Sequence, residues 1–162
     1  MSLQARQFLV RHPHTFFQQP DVMHADLLDS NRTKTTLIAL LVELVNKGHI
    51  IEFTMIRTGH HNDGPNGHNP GGRAADCWPL ASAKAGDYLD ATDPRFQKFI
   101  DDAASSVWLY QEGLVGDGAD SDANFSSAQR AAQQHEPGRY EAGVTIFHDD
   151  GGAHVHVGAV GA

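Results

Sequence analysis

The feature that most constrains the fold is a change of hydrophobic period within residues 30–59, SNRTKTTLIALLVELVNKGHIIEFTMIRTG. The first part repeats apolar residues at helical spacing from Leu37 to Val45, and Gly48 follows as a stop signal. Cap-type residues precede this repeat at Ser30, Asn31 and Thr33. The second part alternates apolar and polar residues through Ile51, Phe53 and Met55. The stretch therefore predicts an amphipathic helix followed directly by a β-strand.

The rest of the chain mixes strands and helices without a regular alternation. Strands are predicted at RAADCWPL, VWLYQEG, GVTIFHD and HVHVGAV, and helices at DPRFQKFIDDAASS and SSAQRAAQQH. Residues 1–33 show no sustained period, and we interpret them as an N-terminal extension packed on the domain or as a connector. The domain itself then covers residues 34–162. This mixture favours an α+β fold, with a small antiparallel sheet and flanking helices.

Composition and charge exclude several classes of function. The net charge of -8 argues against a protein that binds the phosphate backbone of nucleic acids. Apolar runs are too short for a membrane span, and the first residues lack the apolar core of a secretory signal. The single cysteine, Cys77, excludes an internal disulfide framework. We therefore expect no nucleic-acid partner and no membrane partner.

Histidine is the compositional outlier, with clusters at positions 60, 61 and 68 and at positions 148, 154 and 156. The last two are one residue apart on a valine-rich run, so they point the same way from a strand. These histidines and Asp76 lie on three segments that can meet at one point. A His/Asp/His set with an open fourth position suits a catalytic zinc ion. Composition alone leaves open whether these side chains bind a metal or are unliganded histidines of loops and strands.

Two motifs carry a resemblance to a known family. The stretch IRTGHHNDGPNGHNPGGRAAD and the downstream HVHVG resemble the zinc D-Ala-D-Ala carboxypeptidase and L-alanyl-D-glutamate peptidase family. Members of that family cut the stem peptides of peptidoglycan, and many come from phages or phage-like tail assemblies. The resemblance covers about residues 35–160, with firm matches in the two motifs. It implies the fold of these zinc peptidases and zinc as the cofactor, held by His68, Asp76 and His156.

The resemblance also implies roles for residues around the metal. Arg57 matches the family arginine that stabilises the carbonyl oxygen or binds the substrate carboxylate. His154 would lie beside the site without binding the metal. By their place in the glycine-rich loop, and not from the resemblance, His60 and His61 are expected at the loop surface or the pocket rim. Gly72 and Ala74 match small residues that let the ligand-bearing segment pack closely.

The chain departs from the family pattern at three places. Asn66 stands where the family has a serine two residues before the first ligand. The spacing between His68 and Asp76 is one residue longer than in the family. Ala153 occupies the position, three residues before His156, at which the family carries its catalytic Asp or Glu.

The expected function is zinc-dependent hydrolysis of an amide bond in peptidoglycan stem peptides. Asp150 is then the candidate base, and Arg57 stabilises the oxyanion. The alternative, which Ala153 favours, is a catalytically degenerate member that serves as a structural or wall-binding component of a phage particle. A third interpretation is an unrelated metal-binding domain. The expected partners are the stem peptide and phage structural proteins, and the expected location is the host cytoplasm until lysis or a virion or tail particle.

Overall fold

The computed structural model describes residues 2–60, 68–109, 116–117, 144–147 and 154–161. The elements along these residues are, in chain order, α1 (Leu3–Arg11), β1 (Thr15–Phe17), α2 (Pro20–Leu28), α3 (Thr35–Asn46), β2 (Ile51–Met55), β3 (Ala74–Pro79), α4 (Pro94–Ala104), β4 (Gly116–Asp117), β5 (Val144–Phe147) and β6 (His154–Gly158).

One mixed sheet joins the strands in the order β1-β2-β3-β6-β5-β4. The central pairs are antiparallel, namely β2 with β3, β3 with β6, and β6 with β5. The outer pairs, β1 with β2 and β4 with β5, are parallel. The predicted α+β class is confirmed, and the sheet is antiparallel at its centre and parallel at its edges. The closer likeness to the zinc peptidases stays a prediction.

Helix α3 supplies much of the hydrophobic core, as its apolar period predicts. Its fully buried side chains are those of Leu37, Ile38, Leu40, Leu41 and Leu44. The chain leaves the helix through Gly48, whose φ of 93° lies in the left-handed region that favours glycine. The helix and its stop signal are therefore confirmed.

The predicted caps of α3 at Ser30, Asn31 and Thr33 are wrong. The N-cap is Lys34, which makes no side-chain cap hydrogen bond. The Thr33 hydroxyl instead donates to the Asp26 carbonyl at 2.9 Å and accepts from the buried Arg6 guanidinium at 2.7 Å. Tertiary hydrogen bonds to the N-terminal segment thus replace the local cap.

Residues 1–33, to which the sequence assigns no element, contain two helices and a strand. Leu9, Met23 and Leu27 are buried in the same core as α3. Strand β1 extends the sheet by pairing with β2. These short elements have little period of their own, and contacts with the rest of the protein stabilise them. The boundary between residues 33 and 34 stays a prediction.

The other predicted elements fall into three groups. Strands β2, β3, β5 and β6 and helix α4 are confirmed. In α4, the Asp93 side chain accepts from the Arg95 amide at 2.8 Å, which caps the helix start. The strand predicted over residues 107–113 is wrong where it is described, because Leu109 makes only an isolated bridge with Ala159 after a turn. The helix predicted at residues 126–135 lies outside the described residues.

Candidate metal centre

Strands β3 and β6 pack alternate residues into the hydrophobic core and carry polar side chains at positions between them. The residues packed in the core are Ala75, Cys77, Val155 and Val157. The intervening positions carry Asp76 on β3 and His154 and His156 on β6. Asp76 and His156 are direct partners in the antiparallel register. Because side chains alternate along a strand, the register that buries the valines also brings the carboxylate and the imidazole together.

His68, Asp76 and His156 meet at one point, as the sequence predicts. The Asp76 Oδ1 atom lies 3.2 Å from His68 Nε2 and 3.1 Å from His156 Nδ1. The two imidazole nitrogens are 3.2 Å apart. All three residues are buried, with relative exposures of 1%, 6% and 3% in the order named. The three donor atoms therefore form a nearly equilateral triangle.

The size of this triangle fits a small tetrahedral metal ion. Zinc–nitrogen and zinc–oxygen bonds of about 2.0–2.1 Å place tetrahedral ligand atoms roughly 3.3–3.4 Å apart. The distances between the three donor atoms fall just below this value. A ligand set of two imidazoles and one carboxylate suits zinc chemically.

The hydrogen bond of His68 Nδ1 fixes which ring nitrogen is available to a metal ion. His68 Nδ1 lies 2.7 Å from the carbonyl oxygen of Ile56. A carbonyl only accepts, so Nδ1 carries a proton, and in a neutral ring Nε2 then presents its lone pair. That lone pair faces the Asp76 carboxylate. A cation, or additional protons, must offset the repulsion between these lone pairs, and a metal ion meets this need directly.

The electrostatic environment keeps Asp76 available as an anionic ligand. Burial opposes ionisation of its carboxyl group. When His156 and His68 carry the additional protons, their hydrogen bonds and charges outweigh burial, and the pKa of Asp76 lies below its ordinary range. Burial, together with the charge of Asp76, raises the pKa of the neighbouring Cys77 thiol. Cys77 therefore stays protonated in the core and is not a metal ligand.

Gly72 holds the segment that delivers His68. Its amide donates to the His68 carbonyl at 2.8 Å, and its own carbonyl accepts from the Lys34 amide at 2.8 Å. Its φ is +64°, and a Cβ atom there would lie 2.0 Å from the Arg32 carbonyl oxygen. The predicted close packing at Gly72 is therefore confirmed. Ala74, which begins β3, is fully buried.

His60 lies closer to the triangle than a residue of the loop surface would. Its ring stacks on that of His68, with ring centroids 4.1 Å apart and planes inclined by 19°. His60, His68 and Asp76 also form a group whose donor atoms lie within 4.8 Å of one another. However, lone pairs lie in the ring planes, and those of two stacked imidazoles do not converge on one ion. We therefore favour His156 as the third ligand, because its Nδ1 atom lies 3.1 Å from Asp76 Oδ1 and the two residues oppose each other in the sheet.

His154 contacts the other oxygen of the same carboxylate. Its Nε2 lies 3.7 Å from Asp76 Oδ2, and its side chain is 23% exposed. His154 therefore lies beside the triangle of donor atoms, and its role toward a metal stays a prediction. The close approach of His60 fits the pocket rim, one of the two positions expected of it, and the loop that follows β2 brings it there.

Arg57 directly follows Ile56, whose carbonyl oxygen binds His68. Its Nη1 atom donates to the Asn31 carbonyl at 2.9 Å, and its backbone amide donates to Asp26 Oδ2 at 3.1 Å. The guanidinium is thus directed at the loop before α3, and its role toward substrate stays a prediction. The other catalytic candidate, Asp150, lies outside the described residues, as do His61 and Ala153, the residue at the family's acid position.

Comparison of the chain with protein-family models, with curated proteins and with solved structures gives no significant match. Within the part of the chain that the structure describes, no helix has the length and apolar character needed to cross a membrane.

Proposed function

We propose that this protein hydrolyses an amide bond in peptidoglycan stem peptides with the help of a zinc ion bound by His68, Asp76 and His156. The observation that supports the metal is the triangle of donor atoms with sides of 3.1–3.2 Å, buried on the polar face of two core strands. The motifs around these ligands supply the substrate class, because they resemble those of peptidoglycan peptidases.

The proposed reaction assigns a task to each group. When bound, zinc supplies a Lewis acid that activates water and polarises the scissile carbonyl. Asp150 takes a proton from the attacking water and passes it to the leaving amine as the carbon–nitrogen bond breaks. Arg57 donates N–H groups to the developing oxyanion or to a carboxylate of the substrate.

A second candidate function is a catalytically degenerate protein that binds the wall or forms part of a phage particle. Ala153 favours it, because this methyl side chain stands where the resembling family carries its catalytic acid. Such a protein would keep the metal-binding triangle and lose hydrolysis. Bound zinc is therefore expected under both functions, whereas cleavage is expected under one.

The metal is tested first by elemental analysis of purified protein. We expect stoichiometric zinc in the wild type and a loss of affinity on the order of 100-fold or more in His68→Ala, since removing a ligand costs more than removing one of its partners. His14→Ala, which removes an imidazole from another part of the protein, is the matched control. Absence of stoichiometric zinc from the wild type would refute the metal proposal.

Catalysis is tested by incubating the zinc-loaded protein with purified peptidoglycan and identifying released peptides by mass spectrometry. We expect cleavage by the wild type and a roughly 10²–10⁴-fold slower reaction in Asp150→Ala with zinc retained. Unchanged cleavage in that variant would exclude Asp150 as the base. Co-sedimentation of zinc-loaded protein with insoluble peptidoglycan without any released peptide would support the degenerate wall-binding function instead.

A further inference from the structure

A buried carboxylate on α2 contacts the chain directly behind the proposed metal centre. Asp26 is fully buried. Its Oδ2 atom accepts from the backbone amides of Thr58 at 2.7 Å and Arg57 at 3.1 Å. Its Oδ1 atom accepts from the Thr58 hydroxyl at 2.6 Å and lies 3.4 Å from Arg32 Nη1. Asp26 therefore fixes the backbone just beyond the end of β2.

One peptide group links Asp26 to His68. The amide that donates to Asp26 is that of Arg57, and the carbonyl of the same planar peptide is that of Ile56. That carbonyl accepts the Nδ1 proton of His68 at 2.7 Å. The carboxylate and the imidazole thus bind opposite edges of a single rigid unit, and a rotation of this unit would weaken both hydrogen bonds.

We propose that Asp26 is a positioning residue for the metal centre. It holds the Ile56–Arg57 peptide so that the Ile56 carbonyl keeps the His68 ring oriented, with Nε2 facing the donor atoms of Asp76 and His156. Its negative charge also polarises the peptide and strengthens the carbonyl as an acceptor, which makes His68 a better ligand. This inference rests on the proposed function for the identity of the ion, whereas the contact chain exists in the metal-free protein.

The alternative is that Asp26 only braces the N-terminal segment against the sheet. In that case, replacing Asp26 would lower the free energy of unfolding without altering the His68 ring or the affinity for metal. If Asp26 positions His68, its replacement alters the His68 ring and the metal affinity even in protein that remains folded. The two roles are therefore separable by measuring metal affinity alongside stability.

The test compares Asp26→Ser, whose short side chain cannot span both amides and the hydroxyl, with the isosteric Asp26→Asn. Cobalt(II), as a spectroscopic substitute for zinc, is titrated into the metal-free full-length protein. We expect affinity on the order of tenfold weaker in Asp26→Ser, at the low end of the range for partners of metal ligands, and partial rescue in Asp26→Asn. Equal cobalt affinity in folded Asp26→Ser and wild type would overturn the proposal.

Asp29→Asn is the matched control. Asp29 follows α2 and pairs with Arg32 at 3.4 Å, as Asp26 does, and it also accepts the Asn31 amide. It makes no contact with the Ile56–Arg57 peptide among the described residues. Its cobalt affinity is expected to equal that of the wild type. A loss as large as in Asp26→Ser would assign the effect to general loosening and overturn the proposal.

A second readout uses metal-free protein and does not need Asp26→Ser to fold. Long-range proton–nitrogen NMR reports whether His68 carries its proton on Nδ1 and how strongly that proton is hydrogen-bonded. We expect the Nδ1–H tautomer in the wild type and a shifted, faster-exchanging signal in Asp26→Asn. An unchanged signal would overturn the proposal. If the wild type binds neither cobalt nor zinc, the proposed function fails, while this NMR comparison still decides the role of Asp26.

Discussion

The proposed ligands come from two regions that are held in place by different means. Asp76 and His156 belong to a strand pair in which the backbone register and the buried opposite face fix their positions. His68 belongs to the segment after β2, where a hydrogen bond to Ile56 and the turn at Gly72 hold it. Many repeated contacts position the strand ligands, whereas a few single contacts position the loop ligand.

This difference predicts different responses to mutation. A change in the loop should disturb the metal centre together with the fold, because few contacts compensate for it. A change in the core behind the strands should weaken the fold while the register, set by many hydrogen bonds, keeps the two strand ligands together.

The largest effect is expected from Gly72→Ala, which breaks the loop side of the comparison. The new Cβ would lie 2.0 Å from the Arg32 carbonyl oxygen, at a backbone φ of +64°. Strain and overpacking together should lower the free energy of unfolding by roughly 3 kcal/mol. Because the Gly72 amide binds the His68 carbonyl, metal affinity should fall as well. Urea unfolding of metal-free protein and a zinc titration measure the two quantities.

Gly86→Ala is the control for backbone strain alone. Gly86 also has a positive φ, of +79°, but nothing lies within 4 Å of its Cβ position. The expected loss of stability is about 1 kcal/mol, with unchanged metal affinity. If the two variants behaved alike, the close approach to Arg32 would have no part in holding His68.

A smaller loss is expected from Val155→Ala, which tests the strand side. Val155 is fully buried on the core face of β6, between the two histidines of the polar face. Removing its two methyl groups should lower the free energy of unfolding by about 2 kcal/mol. Zinc affinity should fall by less than roughly tenfold, the low end of the range for a partner of a metal ligand. A larger loss of affinity would show that the register alone does not fix His156.

The same contrast explains how much could be predicted from the sequence. The strand ligands and their neighbours follow from local period, since alternation places Asp76 and His156 opposite the buried Cys77 and Val155. The contacts that hold His68 cannot be predicted from local period. They include the hydrogen bond from the Arg57 amide to Asp26, which is thirty-one residues away and lies in a segment without a clear period. The stacking of His60 on His68 likewise depends on the path of the chain between them.

The cap of α3 shows the same limit of local reasoning. Thr33 is a typical cap residue by type, yet the helix begins after Lys34. The Thr33 hydroxyl is engaged instead by Arg6, which lies twenty-seven residues earlier. Propensity describes what a residue can do nearby, and tertiary hydrogen bonds decide which option is used.

A third region, the contact between the end of α3 and α4, lies away from the proposed ligands. It should make the stability of the fold sensitive to acid. His49 Nε2 lies 2.7 Å from Asp102 Oδ2 and joins the end of α3 to α4. Burial lowers the pKa of His49 below its ordinary value, although Asp102 acts in the opposite direction. Burial opposes ionisation of Asp102, but bonds from Lys98 and His49 outweigh it and lower its pKa.

The smallest expected effect is a change in the pH dependence of stability in His49→Gln. Below about pH 6.5 the unfolded chain takes up a proton on His49 before the folded protein does, so the wild type loses stability as the pH falls. Glutamine can still donate to Asp102 but does not titrate, so the variant should show a flatter slope between about pH 7 and pH 5. The contribution of Asp102 is lost only below about pH 4, where the two proteins should converge in slope. Urea unfolding of both metal-free proteins across this range measures the slopes, and parallel curves down to pH 5 would place the acid sensitivity elsewhere.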